Sequence, residues 1–265
     1  MRLTVVGCSG SFAGPESAAS SYLVEHEHEG RTWRLVLDLG SGALGALQRY
    51  TDPTAVDAYC ISHLHPDHVV DLCGLFVLHH YDPRAPHTER IPVHGPAALR
   101  QQMDCVYGSP SGESLTRSFA YHPVGDGHTT QVGPFTLTWT RVNHPGDAYG
   151  LRVEAGGCTV AYTGDTDDTP ALDGLLAGAD LVLSDCAFVE GRDTAQGIHL
   201  SGRRAAVAAQ RAGGVGALVL THVPPWNDPE VSVAEAREVW DGPLQAAHPG
   251  LVLELVPRDC SVTPA

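Results

Sequence analysis

Short apolar runs that end in Gly, Asp, Ser or His recur along the chain and predict strands that alternate with helices. The predicted strands are Leu3–Val6, Ser21–Val24, Trp33–Asp38, Ala58–Ile61, Ile91–Val93, Phe135–Val142, Tyr149–Glu154, Thr159–Tyr162, Leu181–Ser184, Ala217–Leu220 and Leu251–Val256. The predicted helices are Gly42–Arg49, Val69–Leu78, Pro96–Tyr107, Pro170–Ala177, Ser201–Ala212 and Val233–Trp240. Residues 108–130 begin with a cluster of Gly, Ser and Pro and are predicted to form a loop. Each half of the chain has several strands followed by helices, which predicts two packed sheets with helices outside.

The bulk composition is that of a globular protein with a real core. Hydrophobic residues make up 43% of the 265 residues, and no long linker rich in Pro, Gly or Ser interrupts them, so we expect a single domain over 1–265. No apolar run approaches the ~20 residues of a membrane span, and the first strand begins without a signal-like apolar segment. The seven cysteines are odd in number and form no CxxC pair. These features predict a cytoplasmic protein without a membrane partner.

The charge balance disfavours a long nucleic acid as partner. The net charge is −15, and all 16 basic residues are arginines, with no lysine. A protein that grips a polyanion needs several cations to neutralise phosphates. A small phosphate remains compatible with this charge because a metal centre can offset local acidity.

The residues with the clearest chemistry are His63-Leu64-His65-Pro66-Asp67-His68, which follow the predicted strand Ala58–Ile61. Three imidazoles and a carboxylate in six positions would repel one another or stay unsatisfied unless a cation gathered them. His144, Asp165 and His222 each follow a later predicted strand, where a rigid element can hold a ligand at a cleft. The seven ligands are too many for one tetrahedral ion and predict two divalent ions with Asp165 as a bridge. Zinc is the first expectation for such N/O ligands, and manganese or iron would accept the same set.

The HxHxDH string, the later His, the Gly-Asp-Thr turn and the terminal Thr-His together resemble the metallo-β-lactamase superfamily over nearly the whole chain. The opening Gly7–Ser11 loop and the pair of Asp185 with Gly197–Ser201 are similar to the tRNase Z branch. The resemblance implies an α/β fold, a four-layer αββα sandwich with metals at one edge of the sheets. It assigns one ion to His63, His65 and His144, and the other to Asp67, His68 and His222, bridged by Asp165. It also implies that His199, oriented by Asp185, acts as general acid, and that Asp67 is essential for catalysis.

The substrate expected from these features is a small phosphodiester. The tRNase Z branch carries a basic tRNA-gripping arm between its third histidine motif and the bridging Asp, and the short segment from His144 to Asp165 has no room for it. The elements Gly-Cys-Ser-Gly-Ser, His-Leu-Ser-Gly and Thr-His-x-Pro-Pro-Trp resemble actinobacterial atypical cyclic-nucleotide phosphodiesterases. We therefore expect a metal-dependent hydrolase that cleaves a 3′,5′-cAMP-like nucleotide with a hydroxide generated at the metals. A thioesterase or lactonase, a tRNase Z-like ribonuclease and a binding protein without turnover are the alternatives.

Four assignments stay open at this point. Asp38 either supports a metal histidine or forms a turn. His199 is either the acid or a residue before a helix capped by Ser201. Trp226 either lines the site, where it could stack on a base, or packs into the protein. A homodimer through the apolar stretch Leu75–Tyr81 is a further alternative.

Overall fold

The computed structural model describes residues 1–83, 89–108 and 115–257, and within them two seven-stranded sheets face each other. The strands are β1 (Arg2–Gly7), β2 (Ser21–His28), β3 (Arg31–Leu37), β4 (Ala58–Cys60), β5 (Ile91–Pro96), β6 (Phe119–Val124), β7 (Thr129–Val132), β8 (Phe135–Arg141), β9 (Tyr149–Ala155), β10 (Cys158–Tyr162), β11 (Leu181–Asp185), β12 (Leu218–Thr221), β13 (Leu244–Ala246) and β14 (Val252–Glu254). The helices are α1 (Ala43–Leu47), α2 (Pro66–Val69), α3 (Leu72–Tyr81), α4 (Leu99–Tyr107), α5 (Ala171–Leu176), α6 (Gly202–Arg211) and α7 (Pro229–Arg237).

The two sheets share one plan. The first has the order β14-β1-β2-β3-β4-β5-β6, antiparallel as far as β3 and parallel from β3 to β6. The second has the order β13-β12-β11-β10-β9-β8-β7, antiparallel from β7 to β10 and parallel from β10 to β13. The parallel parts need crossover connections, and the helices supply them.

Three apolar clusters define four layers. The central cluster joins the inner faces of both sheets, with the fully buried rings of Tyr22, Trp139 and Tyr162 among its largest members. A second cluster packs the outer face of the first sheet against α1, α3 and α4, and a third packs the outer face of the second sheet against α5, α6 and α7. This arrangement confirms the predicted αββα sandwich.

Each predicted strand and helix has a counterpart in the structure, but β6, β7 and β13 were missed. Residues 109–114 lie outside the described part of the chain, and the rest of the predicted 108–130 loop contains β6 and β7. All three missed strands lie at sheet edges. An edge strand is half exposed and tolerates proline, such as Pro123 in β6, so its sequence lacks the apolar run of a central strand.

Two helix predictions also need correction. The helix predicted over Val69–Leu78 is two helices, α2 and α3, separated by Val70 and Asp71. The last helix begins at Pro229 rather than Val233, because the Asp228 side chain accepts a hydrogen bond from the Glu230 amide and proline occupies the first turn. No helix in the described ranges has the length and apolar character needed to cross a bilayer.

Candidate metal centre

The nine predicted site residues come together at one edge of the two sheets, and strand direction explains why. β10, β11 and β12 are parallel, so their carboxyl ends lie side by side and present Asp165, Asp185 and His222. β8 runs in the same direction as β10, because both are antiparallel to β9 between them, and it brings His144 to the same edge. The first sheet contributes the loop from β4 into α2, which carries the His63–His68 motif.

The first group of donors is built from three imidazoles and Asp165. The Nδ1 atom of His65 lies 3.1 Å from Nε2 of both His63 and His144. Asp165 Oδ2 lies 3.6 Å from His63 Nε2 and 4.0 Å from His144 Nε2. His144 donates its other ring nitrogen, Nδ1, to the carbonyl oxygen of Ile198 at 2.7 Å, which orients Nε2 toward the group.

The second group shares Asp165 with the first. His68 Nε2 and His222 Nε2 are 3.2 Å apart, and Asp67 Oδ2 lies 3.0 Å from His222 Nε2. Asp165 Oδ1 lies 3.2 Å from His68 Nε2, and Oδ2 lies 3.3 Å from His222 Nε2. Asp165 is therefore the one predicted ligand that the geometry places in both groups.

The donor set fits divalent metal ions. Five imidazole nitrogens converge at distances of 3.0–4.0 Å from one another or from a carboxylate oxygen, and every one of these residues except His65 is buried. Asp165 Oδ1 is buried without a hydrogen-bond donor, which is costly for a carboxylate unless a cation balances it. Imidazole and carboxylate ligands suit zinc, manganese or iron(II). The arrangement indicates a divalent metal site.

Asp38 connects this centre to the core and resolves one of the open assignments. It is completely buried, and its Oδ2 accepts hydrogen bonds from His68 Nδ1 and the hydroxyl of Tyr162, both at 2.7 Å. Ser62 donates its backbone N–H to Oδ1 at 2.7 Å and its hydroxyl to Oδ2 at 2.8 Å. Asp38 and His222 both have positive φ angles, 58° and 60°, a strained conformation that clusters at functional sites. Asp38 thus supports a predicted metal histidine, and Tyr162 and Ser62 are supporting residues that sequence reasoning missed.

His199 and Asp185, predicted to act as a general acid and its partner, lie within hydrogen-bond distance of each other. His199 Nδ1 lies 2.9 Å from Asp185 Oδ2, and the His199 ring packs 5.2 Å from the His222 ring. Asp185 is fixed by amide donors from Thr166 at 3.0 Å and Ala187 at 3.2 Å. Ser201 is also the N-cap of α6, as the alternative assignment required, so the helix start and the acid pair coexist.

The pKa values of the histidines separate according to their neighbours. Burial lowers the pKa of His63 well below its ordinary value, and it also lowers that of His144. For His68 and His222 burial is the largest single effect and would lower the pKa, but the neighbouring carboxylates together outweigh it. Asp165 and Asp38 raise the pKa of His68 well above its ordinary value, and Asp165, Asp185 and Asp67 raise that of His222 to about 10. Burial opposes and Asp185 favours the charged form of His199, with a raised pKa as the result. Burial would raise the pKa of Asp165, but the neighbouring imidazoles of His222, His68 and His63 hold it well below its usual range.

A salt bridge between Asp167 and Arg204, which sequence reasoning also missed, holds the loop that carries His199. Asp167 Oδ2 accepts the amide of Gly197 at 2.7 Å, and Oδ1 accepts Arg204 Nη1 at 2.7 Å. Arg204 also donates to the carbonyl oxygen of His199 at 3.2 Å. The Asp167 amide donates to the carbonyl oxygen of Asn143, next to the predicted ligand His144. Asp167 and its salt bridge to Arg204 therefore connect the Asn143 segment, the Gly197–His199 loop and α6. A second Asp two positions after the Gly-Asp turn was the available sequence signal.

Comparisons with known proteins agree with this geometry. A family model for the beta-lactamase superfamily domain matches residues 34–223. An uncharacterized protein of Mycobacterium tuberculosis is 38% identical over 249 residues, which cover 93% of this chain and 89% of that protein. The probable metallo-hydrolase YhfI of Bacillus subtilis is 31% identical over 258 residues, covering 96% of this chain and all of that protein (100%).

Solved structures show the same fold. The crystal structure of YhfI superposes with a TM-score of 0.82 at 29% identity and covers 96% of this chain and 99% of that chain. The short form of human tRNase Z superposes with a TM-score of 0.72 at 20% identity, over 96% of this chain and 99% of that chain, a likeness in fold alone.

Proposed function

The chain belongs to the metallo-β-lactamase superfamily, in its tRNase Z-like branch, and from this membership we propose that this metallo-hydrolase is a phosphodiesterase acting on a small cyclic nucleotide such as 3′,5′-cAMP. The observation that carries the proposal is the His199–Asp185 pair, 2.9 Å apart and packed against the ligand His222. An alkoxide is a poor leaving group and needs a proton, whereas many other hydrolytic leaving groups do not.

In this proposal seven residues hold two divalent ions, zinc by preference. His63, His65 and His144 hold one ion and Asp67, His68 and His222 hold the other, with Asp165 as the shared ligand. When bound, the ions would supply an activated nucleophile and stabilise charge on the phosphate oxygens. Asp38 keeps the proton of His68 on Nδ1, which leaves Nε2 free to act as a ligand.

His199 holds the proton that the leaving ribose oxygen requires. Asp185 accepts a hydrogen bond from Nδ1, so Nε2 is the ring nitrogen that faces away from the carboxylate and can donate. Burial would lower the pKa of His199, but the carboxylate of Asp185 outweighs it and raises the pKa, which stabilises the protonated ring. The Ser11 amide points at His222 Nε2, at 3.5 Å. With that nitrogen coordinated to a metal, the amide would be free to donate to a phosphate oxygen of the substrate.

Charge and topology favour a small substrate over tRNA. The segment between His144 and Asp165 folds as β9, a two-residue glycine turn and β10, with the two strands paired along their length. The net charge of −15 without any lysine opposes binding of a long polyanion. Ribonuclease Z of Haloferax volcanii is 26% identical over 311 residues, covering 96% of this chain and 95% of that protein, so precursor tRNA belongs in the substrate panel.

The test is a substrate panel with the metal-loaded protein. We expect release of a nucleoside monophosphate from 3′,5′-cAMP or a related cyclic nucleotide, and little turnover of precursor tRNA, lactones and thioesters. Asp67→Ala removes a predicted metal ligand of the second group. It should abolish this activity and reduce the bound metal by about one equivalent. Turnover of a lactone or thioester at a higher kcat/KM than any phosphodiester would contradict the proposal.

A further inference from the structure

Two exposed aromatic rings contact each other beside the metal centre. Trp226 is 63% exposed and Phe12 is 46% exposed, and their ring centroids are 5.3 Å apart at an angle of 42°. Among the described residues the other strongly exposed aromatic side chain is Tyr81, which lies at the end of α3. An aromatic pair left open to water at a predicted active site is a candidate for ligand contact rather than for packing.

The two loops that carry these rings are attached to the ligand His222. The Gly10 amide donates to the carbonyl oxygen of Val223 at 3.1 Å, and the Ser11 amide lies 3.5 Å from His222 Nε2. A side chain at Gly10 would collide with the backbone of His222, with a contact of only 2.2 Å, so the loops touch as backbones. Phe12 follows Ser11 directly, so its Cα lies about 3.8 Å from that of a residue in contact with a metal donor.

The backbone presents both rings in fixed positions. The Phe12 amide donates to the Gly10 carbonyl oxygen at 2.8 Å around Ser11, whose φ is 65°, a three-residue turn of the rare γ form. Trp226 follows two prolines, and the next residue, Asn227, donates to Ala187 and accepts from Arg192. The strained turn costs stability and fixes Phe12, and the two hydrogen bonds of Asn227 restrain the loop that carries Trp226. Together they hold an exposed aromatic pair in place, which preorganises it for a ligand.

We infer that the Phe12–Trp226 pair is a stacking platform for the base of the nucleotide, an inference that rests on the phosphodiesterase function proposed above. In a cyclic nucleotide only the ribose separates the base from the phosphate. When the phosphate lies at the predicted metal ligands, the base is therefore within reach of Phe12, which follows Ser11, and of Trp226, four positions after His222. The two rings already touch, so the base stacks on the open side of the pair rather than between them. Stacking is tolerant of sequence because every base has a π-face. The platform therefore selects cyclic nucleotides as a class over phosphodiesters without a flat group.

The test compares one substrate with a base and one without it. The substrates are 3′,5′-cAMP and methyl ribofuranoside 3′,5′-cyclic phosphate, which keeps the sugar and the phosphodiester ring. The wild type should prefer cAMP, and Trp226→Ala should raise the KM for cAMP by about tenfold with kcat nearly unchanged. Its KM for the abasic substrate should stay the same. Trp226→Phe should restore most of the affinity, and Tyr81→Ala, which removes an equally exposed ring far along the chain, should change neither KM.

The possible results separate this inference from the proposed function. Equal KM changes for both substrates, or none, in Trp226→Ala would overturn the stacking platform while leaving the phosphodiesterase proposal intact. Equal wild-type KM values for cAMP and the abasic substrate would overturn it in the same way. A wild-type enzyme that hydrolyses neither of these substrates nor any other cyclic nucleotide of the substrate panel would overturn the proposed function and this inference with it. The thermal midpoint of Trp226→Ala should match the wild type, since the ring is mostly exposed.

Discussion

Replacing Asp38 with asparagine tests whether a buried carboxylate controls the metal centre from behind. Asp38 Oδ2 accepts hydrogen bonds from His68 Nδ1, the Tyr162 hydroxyl and the Ser62 hydroxyl at 2.7–2.8 Å. Asparagine has the same shape but replaces one of the two acceptor oxygens by an NH₂ group. If the remaining oxygen keeps the Ser62 amide, the NH₂ group faces three donors and can accept from none of them.

The expected losses can be estimated from these contacts. Removing a carboxylate that orients a ligating histidine reduces metal affinity by about 10- to 100-fold, which corresponds to about 1.4–2.8 kcal/mol. Each buried donor left without an acceptor costs about 1–3 kcal/mol. Since the Ser62 hydroxyl also lies 3.1 Å from His63 Nδ1, the His68 ring and the Tyr162 hydroxyl are the two donors that lose their acceptor, and the free energy of unfolding of the metal-free variant should fall by about 2–6 kcal/mol.

The assay is competition for zinc against a chromogenic chelator, with denaturant unfolding of the metal-free protein beside it. Asp180→Asn is the matched control, because the Asp180 carboxylate accepts the Thr159 amide at 2.8 Å at the opposite end of β10. The control should bind metal as the wild type does. A folded Asp38→Asn variant with wild-type metal affinity would refute the reasoning, and a loss of stability alone would show that Asp38 serves only the core.

Three further predictions concern the acid pair, its support and the metal-free state. His199→Ala should lower kcat by about 10²-fold or more for an alkoxide leaving group and much less for nitrophenolate. Asp167→Asn should give a weaker form of the same pattern at unchanged metal content, because asparagine keeps only one of the two oxygens that accept from the Gly197 amide and Arg204. His68 and His222 have raised pKa values in the metal-free protein, so their stabilisation is complete below pH ~6.5 and lost as pH rises toward about 10. Metal-free protein should therefore lose stability between pH ~7 and ~9.5, whereas the metal-loaded protein should not.

Each of these has a control and a contrary result. Leaving-group series measured on the wild type and on His199→Ala, with metal analysis of both proteins, separate proton donation from loss of metal, and equal losses for both leaving groups would argue against the acid role. Metal analysis of Asp167→Asn that shows depleted metal would assign Asp167 to the centre rather than to the loop. Denaturant melts across pH with and without zinc decide the third, and parallel pH curves would contradict it.

Much of the fold could be read from the chain because central strands and amphipathic helices carry their own pattern. Apolar runs such as Val160–Tyr162 and Leu218–Leu220 are buried on both faces, and both are strands in the structure. The edges could not be read in the same way. The sequence of β7 (Thr129–Val132) is mostly polar and its side chains are partly or fully exposed, so the pattern is typical of a loop. Only its pairing with β8 identifies it as a strand.

The candidate ligands were found from local sequence for two reasons. The closely spaced histidines and aspartate of His63–His68 are hard to explain without a metal ion, and His144, Asp165 and His222 each follow a predicted strand. Among the supports, Asp38 was one of two open alternatives, and its partners, together with Asp167 and Arg204, were not found, because these contacts join positions distant in sequence. Asp38 meets Tyr162 across the gap between the sheets, and Arg204 of α6 reaches Asp167 after the Gly-Asp turn. Neither pairing has a spacing that a sequence pattern could reveal.

Residue types and their order along the chain were enough to predict the metal-ligand chemistry of the centre, since imidazoles and carboxylates at strand ends have few other uses. Packing of the two sheets was needed to establish which groups face one another. It brings His144 to His65, turns Asp165 toward both groups and leaves Phe12 against Trp226 in water. The reason is physical: side-chain chemistry is a local property, whereas distance, burial and orientation arise only when remote segments share one core.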